Sequence, residues 1–97
     1  MVQKSDFEYI WIFSGQGSWT PTAVFETFEE ADEWIRENNL KGYLSEYPIG
    51  ISVYDWAIQL GLHKPKYPSQ ESPQHIQTFG SAFLTHTHYV DDELESD

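Results

Sequence analysis

Residues 7–38 read FEYIWIFSGQGSWTPTAVFETFEEADEWIREN, and within this stretch the hydrophobic period changes once. Phe7, Tyr9, Trp11 and Phe13 recur every second residue, with Ile10 and Ile12 on the opposite face. Both faces are therefore apolar, as a central strand requires. Residues 15–21, GQGSWTP, read as a loop, and residues 22–26, TAVFE, as a second strand returning antiparallel beside the first. From Phe28 the period lengthens to that of a helix. Phe28, Ala31, Trp34, Ile35 and Asn38 share one stripe, which packs on the sheet. Thr27 stands three residues before Glu30, the spacing of a capping box in which hydroxyl and carboxylate each satisfy a free backbone N–H. Asn39 or Gly42, either able to turn left-handed, stops the helix.

The same grammar continues outward. Tyr43 to Tyr47 reads as a third strand, ended by Pro48 and Gly50. Ser52 caps a second helix with Val53, Trp56, Ala57 and Leu60 as its buried stripe and Gly61 as its stop. Residues 62–72 carry two prolines and form an irregular connection. Ser72 before Pro73 opens a short third helix through Phe79, because proline suits the first helical position. AFLTHTHYV, residues 82–90, is rich in strand formers. The element order is β-β-α-β-α-α-β, which predicts the α+β class: a mainly antiparallel sheet of about four strands with two or three helices packed on it. Residues 1–97 read as one domain, with 1–6 and 91–97 as flexible ends.

Sixteen aromatic residues, four of them tryptophan, supply core bulk to a chain of 97 residues and argue against a disordered protein. With no cysteine there is neither a disulfide staple nor a thiolate metal site, which suits a reducing cytosol. The start MVQKSDFEY has no apolar leader core, and no apolar run approaches the ~20 residues that span a bilayer. The expectation is a soluble cytoplasmic protein.

The net charge of −11 is unevenly spread. Glu26, Glu29, Glu30, Asp32, Glu33 and Glu37 oppose only Arg36, and Asp91, Asp92, Glu93, Glu95 and Asp97 oppose nothing. The rest is nearly neutral. Such a field repels phosphate backbones and anionic membranes and attracts basic partners, so nucleic-acid binding is excluded by the missing basic patch.

Three arrangements invite a chemical reading, and each has a plainer one. Gly15-Gln16-Gly17 follows a strand, as a phosphate loop does, but such a loop must lead into a helix, and here Trp19, Pro21 and a strand follow. It reads as a hairpin loop. His86 and His88, on one face of a strand, have a spacing that can hold a metal with Asp91 or Asp92. Alternating polar residues on a half-exposed strand produce the same spacing, and a metal needs three or four ligands with outer support. The same histidines with Lys64 or Lys66 could be drawn as an acid/base pair on a phosphodiester. The negative field opposes that substrate. The sequence therefore predicts no catalytic residues, no metal and no cofactor.

The acidic helix carries more weight. Glu29, Glu33 and Glu37 follow at four-residue steps on its outer side, where each like-charge pair costs about 0.2–0.5 kcal/mol. A solvated face would do better with mixed signs. A repeated cost on one face points to a use, so Glu26, Glu29, Glu30, Glu33 and Glu37 are the candidate partner contacts. Tyr47 and Tyr54 read first as core or half-buried side chains and second as aromatic anchors for a partner, while Trp56 reads as core.

The segments YIWIFSG, AVFETFEEADEWI, LKGYLSEYP, VYDWA, GLHKPK, SPQHIQTF and THTHY, spanning Tyr9 to Tyr89, resemble a family of small uncharacterised bacterial single-domain proteins. That resemblance implies no catalytic residues. More loosely, the chain is similar to the immunity proteins of contact-dependent growth inhibition toxin systems. This second resemblance implies a non-enzymatic inhibitor whose carboxylates cover the positive groove of a basic toxin, an RNase in particular. Two other functions stand beside it: an accessory or regulatory module binding another protein, and a metal- or histidine-dependent hydrolase.

Overall fold

The computed structural model describes residues 1–80 and 82–90, which group into two compact units. One takes in residues 9–47 and, among the described residues, 84–90; the other takes in 1–8 and 48–83.

The first unit is built on a sheet of β1 (Tyr9–Gly15), β2 (Ala23–Phe25), β3 (Gly42–Pro48) and β4 (His86–Tyr89), in the order β2-β1-β3-β4. β1 and β2 form a hairpin with Trp11 opposite Phe25 and Ile12 opposite Val24. β3 and β4 pair Gly42 with Tyr89 and Tyr43 with His88. β1 and β3 are neighbours, and just beyond their ends Gln16 N–H donates to Lys41 C=O at 2.9 Å and Ile49 N–H to Glu8 C=O at 2.8 Å. The partner numbers run in opposite directions, so this pair is antiparallel as well. The α+β class follows.

Helix α1 (Phe28–Glu37) lies against one face of this sheet. Phe13, Ala31, Ile35 and Leu44 are at most 1% exposed, and Trp11, Phe25, Phe28, Trp34, Leu40 and Tyr89 pack around them. Fully burying Phe13, Ile35 or Leu44 contributes about 1.5–3 kcal/mol each. The rings meet edge-on, Trp11 with Phe28 at 5.3 Å and Phe13 with Trp34 at 6.1 Å between centroids, the arrangement that ring quadrupoles favour.

The helix boundaries follow their local chemistry, with two differences from the sequence reading. Thr27 Oγ1 accepts the Glu30 N–H at 3.2 Å as expected, but the Glu30 carboxylate accepts from that same hydroxyl at 3.0 Å instead of reaching the Thr27 backbone. Asn38, expected on the buried stripe, is exposed, and its side-chain amide donates to Trp34 C=O at 2.9 Å. The two candidate stop residues divide the task. Asn39 turns left-handed at φ 55°, while Gly42 opens β3 at φ 147° where a Cβ would strike the Ser14 carbonyl oxygen. A glycine there lets β3 approach β1.

In the other unit, α2 (Val53–Gln59) is capped by Ser52 and stopped at Gly61, φ 75°. α3 (Pro73–Thr78) is capped by Ser72, whose Oγ accepts the His75 N–H at 3.2 Å. Trp56 and Ala57 are 1% exposed, as the stripe predicts. β1 starts two residues later than expected because Phe7 closes a 3-10 turn at Lys4–Asp6, its N–H on Lys4 C=O at 3.2 Å. The Asp6 carboxylate accepts the Gln3 N–H at 2.8 Å. Lys4 Nζ donates to Phe83 C=O at 3.0 Å and lies 5.7 Å from the Trp56 ring centroid. The expected flexible end at 91–97 lies outside the described residues.

Candidate functional site

The period that buries Ala31 and Ile35 turns the other side of α1 to solvent. Glu29, Glu33 and Glu37 are exposed along it, and Glu26 and Glu30 are exposed at its start. Among the described residues none of these five takes part in an ion pair; Glu30 is engaged by the Thr27 hydroxyl. The amino end of the helix favours Glu29 and Glu30 through its dipole, whereas Glu37 at the carboxyl end has no such compensation.

Asp32 is the exception among the helix acids. Arg36 Nε donates to both of its carboxylate oxygens at 3.0 Å, and the Tyr89 hydroxyl donates to Oδ1 at 2.7 Å. The Arg36 guanidinium also lies 5.7 Å from the Tyr89 ring centroid. The Tyr89 hydrogen bond, ahead of Arg36, holds the Asp32 carboxyl below its ordinary range although burial opposes this. Burial, followed by the bond to Asp32, pushes the Tyr89 hydroxyl up to about 12. One acid of the helix thus fastens α1 to strand β4. Among the described residues the outward acids Glu29, Glu33 and Glu37 have no ion-pair partner.

The tyrosine candidates separate. Tyr47 is half-buried and lines a cleft on the first unit. Tyr54 is 6% exposed, and its hydroxyl donates to Gln70 C=O at 2.9 Å. Its ring meets His63, His75 and Phe79 at 5.7, 5.9 and 5.4 Å. Burial first, then the charges of Glu71 and Asp55, raise its hydroxyl above the ordinary range. Tyr54 packs the interior of its unit and has no face to offer a partner.

His86 and His88 share a face of β4, as expected, with ring centroids 5.1 Å apart. His86 Nδ1 lies 2.8 Å from Leu84 C=O, and the His88 ring is 6.2 Å from Tyr43. Among the described residues no third histidine or carboxylate joins them in a metal-holding group; Asp91 and Asp92 lie outside the described residues. Gly15-Gln16-Gly17 runs into the β1–β2 loop and then a strand, so no helix end meets it. Sequence reasoning missed Trp19, whose side chain is fully exposed, and the link from Asp32 to Tyr89 across 57 positions.

A family model described as a domain of unknown function, DUF7710, matches residues 10–95, almost the whole chain. The chain belongs to that family. No curated protein and no solved structure matches it. Among the described residues no helix is long and apolar enough to cross a membrane.

Proposed function

We propose that this domain works by binding: a non-enzymatic, acidic protein that docks a basic partner on the outer face of α1. In its sharper form the reading is a bacterial, cytoplasmic immunity protein that inhibits a cognate basic toxin, an RNase, by covering the active site. The observation that supports it is the row Glu29, Glu33 and Glu37, exposed on α1 and without an ion-pair partner among the described residues. Carboxylates at successive helical turns stand about 6 Å apart, so lysines and arginines that line a nucleic-acid groove can meet them as they meet phosphates. Tyr47 is retained as a neighbouring aromatic contact, with Glu26 and Glu30 at the edge of the face.

The test has two steps: whether a large toxin gene lies directly upstream of this one, and whether its toxin domain is inhibited by this protein. The proposal expects stoichiometric loss of RNase activity, relieved by the triple variant E29K/E33K/E37K with an unchanged circular dichroism spectrum. The association rate should fall as salt rises, because exposed charges are screened beyond about 10 Å at 0.1 M ionic strength. Full inhibition by the triple variant would dismiss the α1 face.

A further inference from the structure

The loop between β1 and β2 is ordered by its own hydrogen bonds. Ser18 N–H donates to Gly15 C=O at 3.0 Å, and the Ser18 hydroxyl donates to Thr20 C=O at 2.7 Å while accepting the Thr20 N–H at 3.3 Å. Gly17 takes φ 85°, and Thr22 N–H returns the chain to Phe13 C=O at 2.7 Å. Trp19 sits at the apex between these bonds with its whole side chain in solvent. A tryptophan offers 150–250 Å² of apolar surface, so leaving it in water forgoes a large hydrophobic gain. Among the described residues it makes no ring contact that would repay its exposure.

Trp19 stands over a cleft of about 600 Å³ whose other wall is the β3–β4 surface: Tyr43, Tyr47, His88 and Val90. Tyr43 is 46% and Val90 45% exposed, so the aromatic surface faces open space. Polar side chains of Ser14, Gln16, Ser18 and Thr20 complete the lining, and among the described residues no carboxylate is part of it. The unit that bears the cleft carries seven carboxylates against Arg36 and Lys41 among its described residues. The other unit, with four carboxylates against three lysines, is close to neutral. Most of these carboxylates stand on α1, across the sheet from Tyr43 and His88, so they draw a cation to the unit over long range at low ionic strength, and the aromatic faces can then hold it.

We propose that this cleft receives an arginine side chain of a basic polypeptide partner, its guanidinium stacked on Trp19 and Tyr43. The inference rests on the reading of the partner as basic. Arginine is preferred to lysine for a physical reason. A guanidinium is planar and weakly hydrated, so it sheds water to stack on an indole or phenol, while an ammonium is a strongly hydrated point charge that gains less from a flat aromatic face. The same unit already holds one such contact, Arg36 against Tyr89. A neutral sugar or peptide would also stack on these rings, but would make no use of the field.

The experiment titrates the full chain with hexa-arginine, hexa-lysine and cellohexaose at low salt, following tryptophan fluorescence and the Trp19 indole N–H resonance. Hexa-arginine should bind more tightly than hexa-lysine and shift the Trp19 resonance. Trp19→Ala should weaken hexa-arginine about 5- to 30-fold, with a much smaller effect on hexa-lysine. Tyr43→Leu should act in the same direction. The variant E29K/E33K/E37K separates the two surfaces: it should weaken both peptides alike and leave the arginine-to-lysine ratio unchanged. If Trp19→Ala leaves that ratio intact, or if cellohexaose moves the Trp19 resonance and hexa-arginine does not, the arginine cleft is overturned. Failure of toxin inhibition with the ratio still dependent on Trp19 would remove the α1 reading alone.

Discussion

Replacing Glu33 by lysine should make the protein more stable and its binding weaker. Glu33 has like-charged neighbours at three- or four-residue spacing in Glu29, Glu30 and Glu37, and one opposite neighbour in Arg36. Each pair is worth about 0.2–0.5 kcal/mol on an exposed helix. Charge reversal turns three repulsions into attractions and one attraction into a repulsion. Arg36 is already held by Asp32 at 3.0 Å, which softens the single loss. The net swing is about four pair energies, or about 1 kcal/mol after allowance for screening of exposed charges. Thermal unfolding should rise by about 4–8 °C, given the entropy of a domain of this size. The gain should shrink in 0.5 M salt, and Glu33→Gln should show about half of it. In parallel, affinity for the basic partner should fall several-fold at low salt. A drop in melting temperature would refute the like-charge account of this helix. A stabilised variant with unchanged affinity would leave the face a solvated surface without a partner.

Other perturbations follow from the interior. Tyr89→Phe should cost about 1–2 kcal/mol by removing a hydrogen bond to a charged acceptor, and a double-mutant cycle with Asp32→Asn should show the two effects coupled. Because the folded Tyr89 hydroxyl titrates at about 12, above its ordinary value, its contribution should be complete below about pH 10 and be lost as pH rises through about 12. Asp32 has the opposite sign: its lowered folded value contributes stability above about pH 4 that is lost on acidification, and Tyr89→Phe should flatten the acid limb of a stability-versus-pH curve. Gly42→Ala should destabilise by about 2 kcal/mol or more in denaturant titration, since it joins a positive φ to a collision with the Ser14 carbonyl. His75→Phe should stabilise by about 1 kcal/mol, because His75 Nε2 is buried with no hydrogen-bond partner among the described residues while its ring packs on His63, Tyr54 and Phe79; a loss of stability would mean the site has no room for the larger ring.

The candidate surfaces were legible to different depths. The ridge on α1 could be read directly, since a helical period with apolar residues on one side places every fourth glutamate on the other. Asp32 and Arg36 pair at the same four-residue spacing. Asp32 as a fastening to β4 could not be read there, because Tyr89 arrives from 57 residues away and nothing local to either residue announces the other. For Tyr54 the core reading holds over the contact reading, and its burial comes from His63, His75 and Phe79, which belong to the irregular connection and the short third helix. Trp19 was passed over as one residue of a glycine-bearing loop. Its signal, a bulky aromatic ring between turn formers with no periodic partner, is weak until the solvent around it is known.

The sequence by itself determined what depends on residues within about one turn of one another: the strand alternation of Tyr9 to Phe13, the caps Thr27, Ser52 and Ser72, and the left-handed stop near Asn39. Backbone hydrogen bonds and steric preferences at that range are set by neighbours along the chain. Only the tertiary structure decided the order β2-β1-β3-β4, the burial of Tyr54 and the cleft beneath Trp19. Those depend on which distant apolar surfaces leave water together, and hydrophobic burial has no direction along the chain to record it.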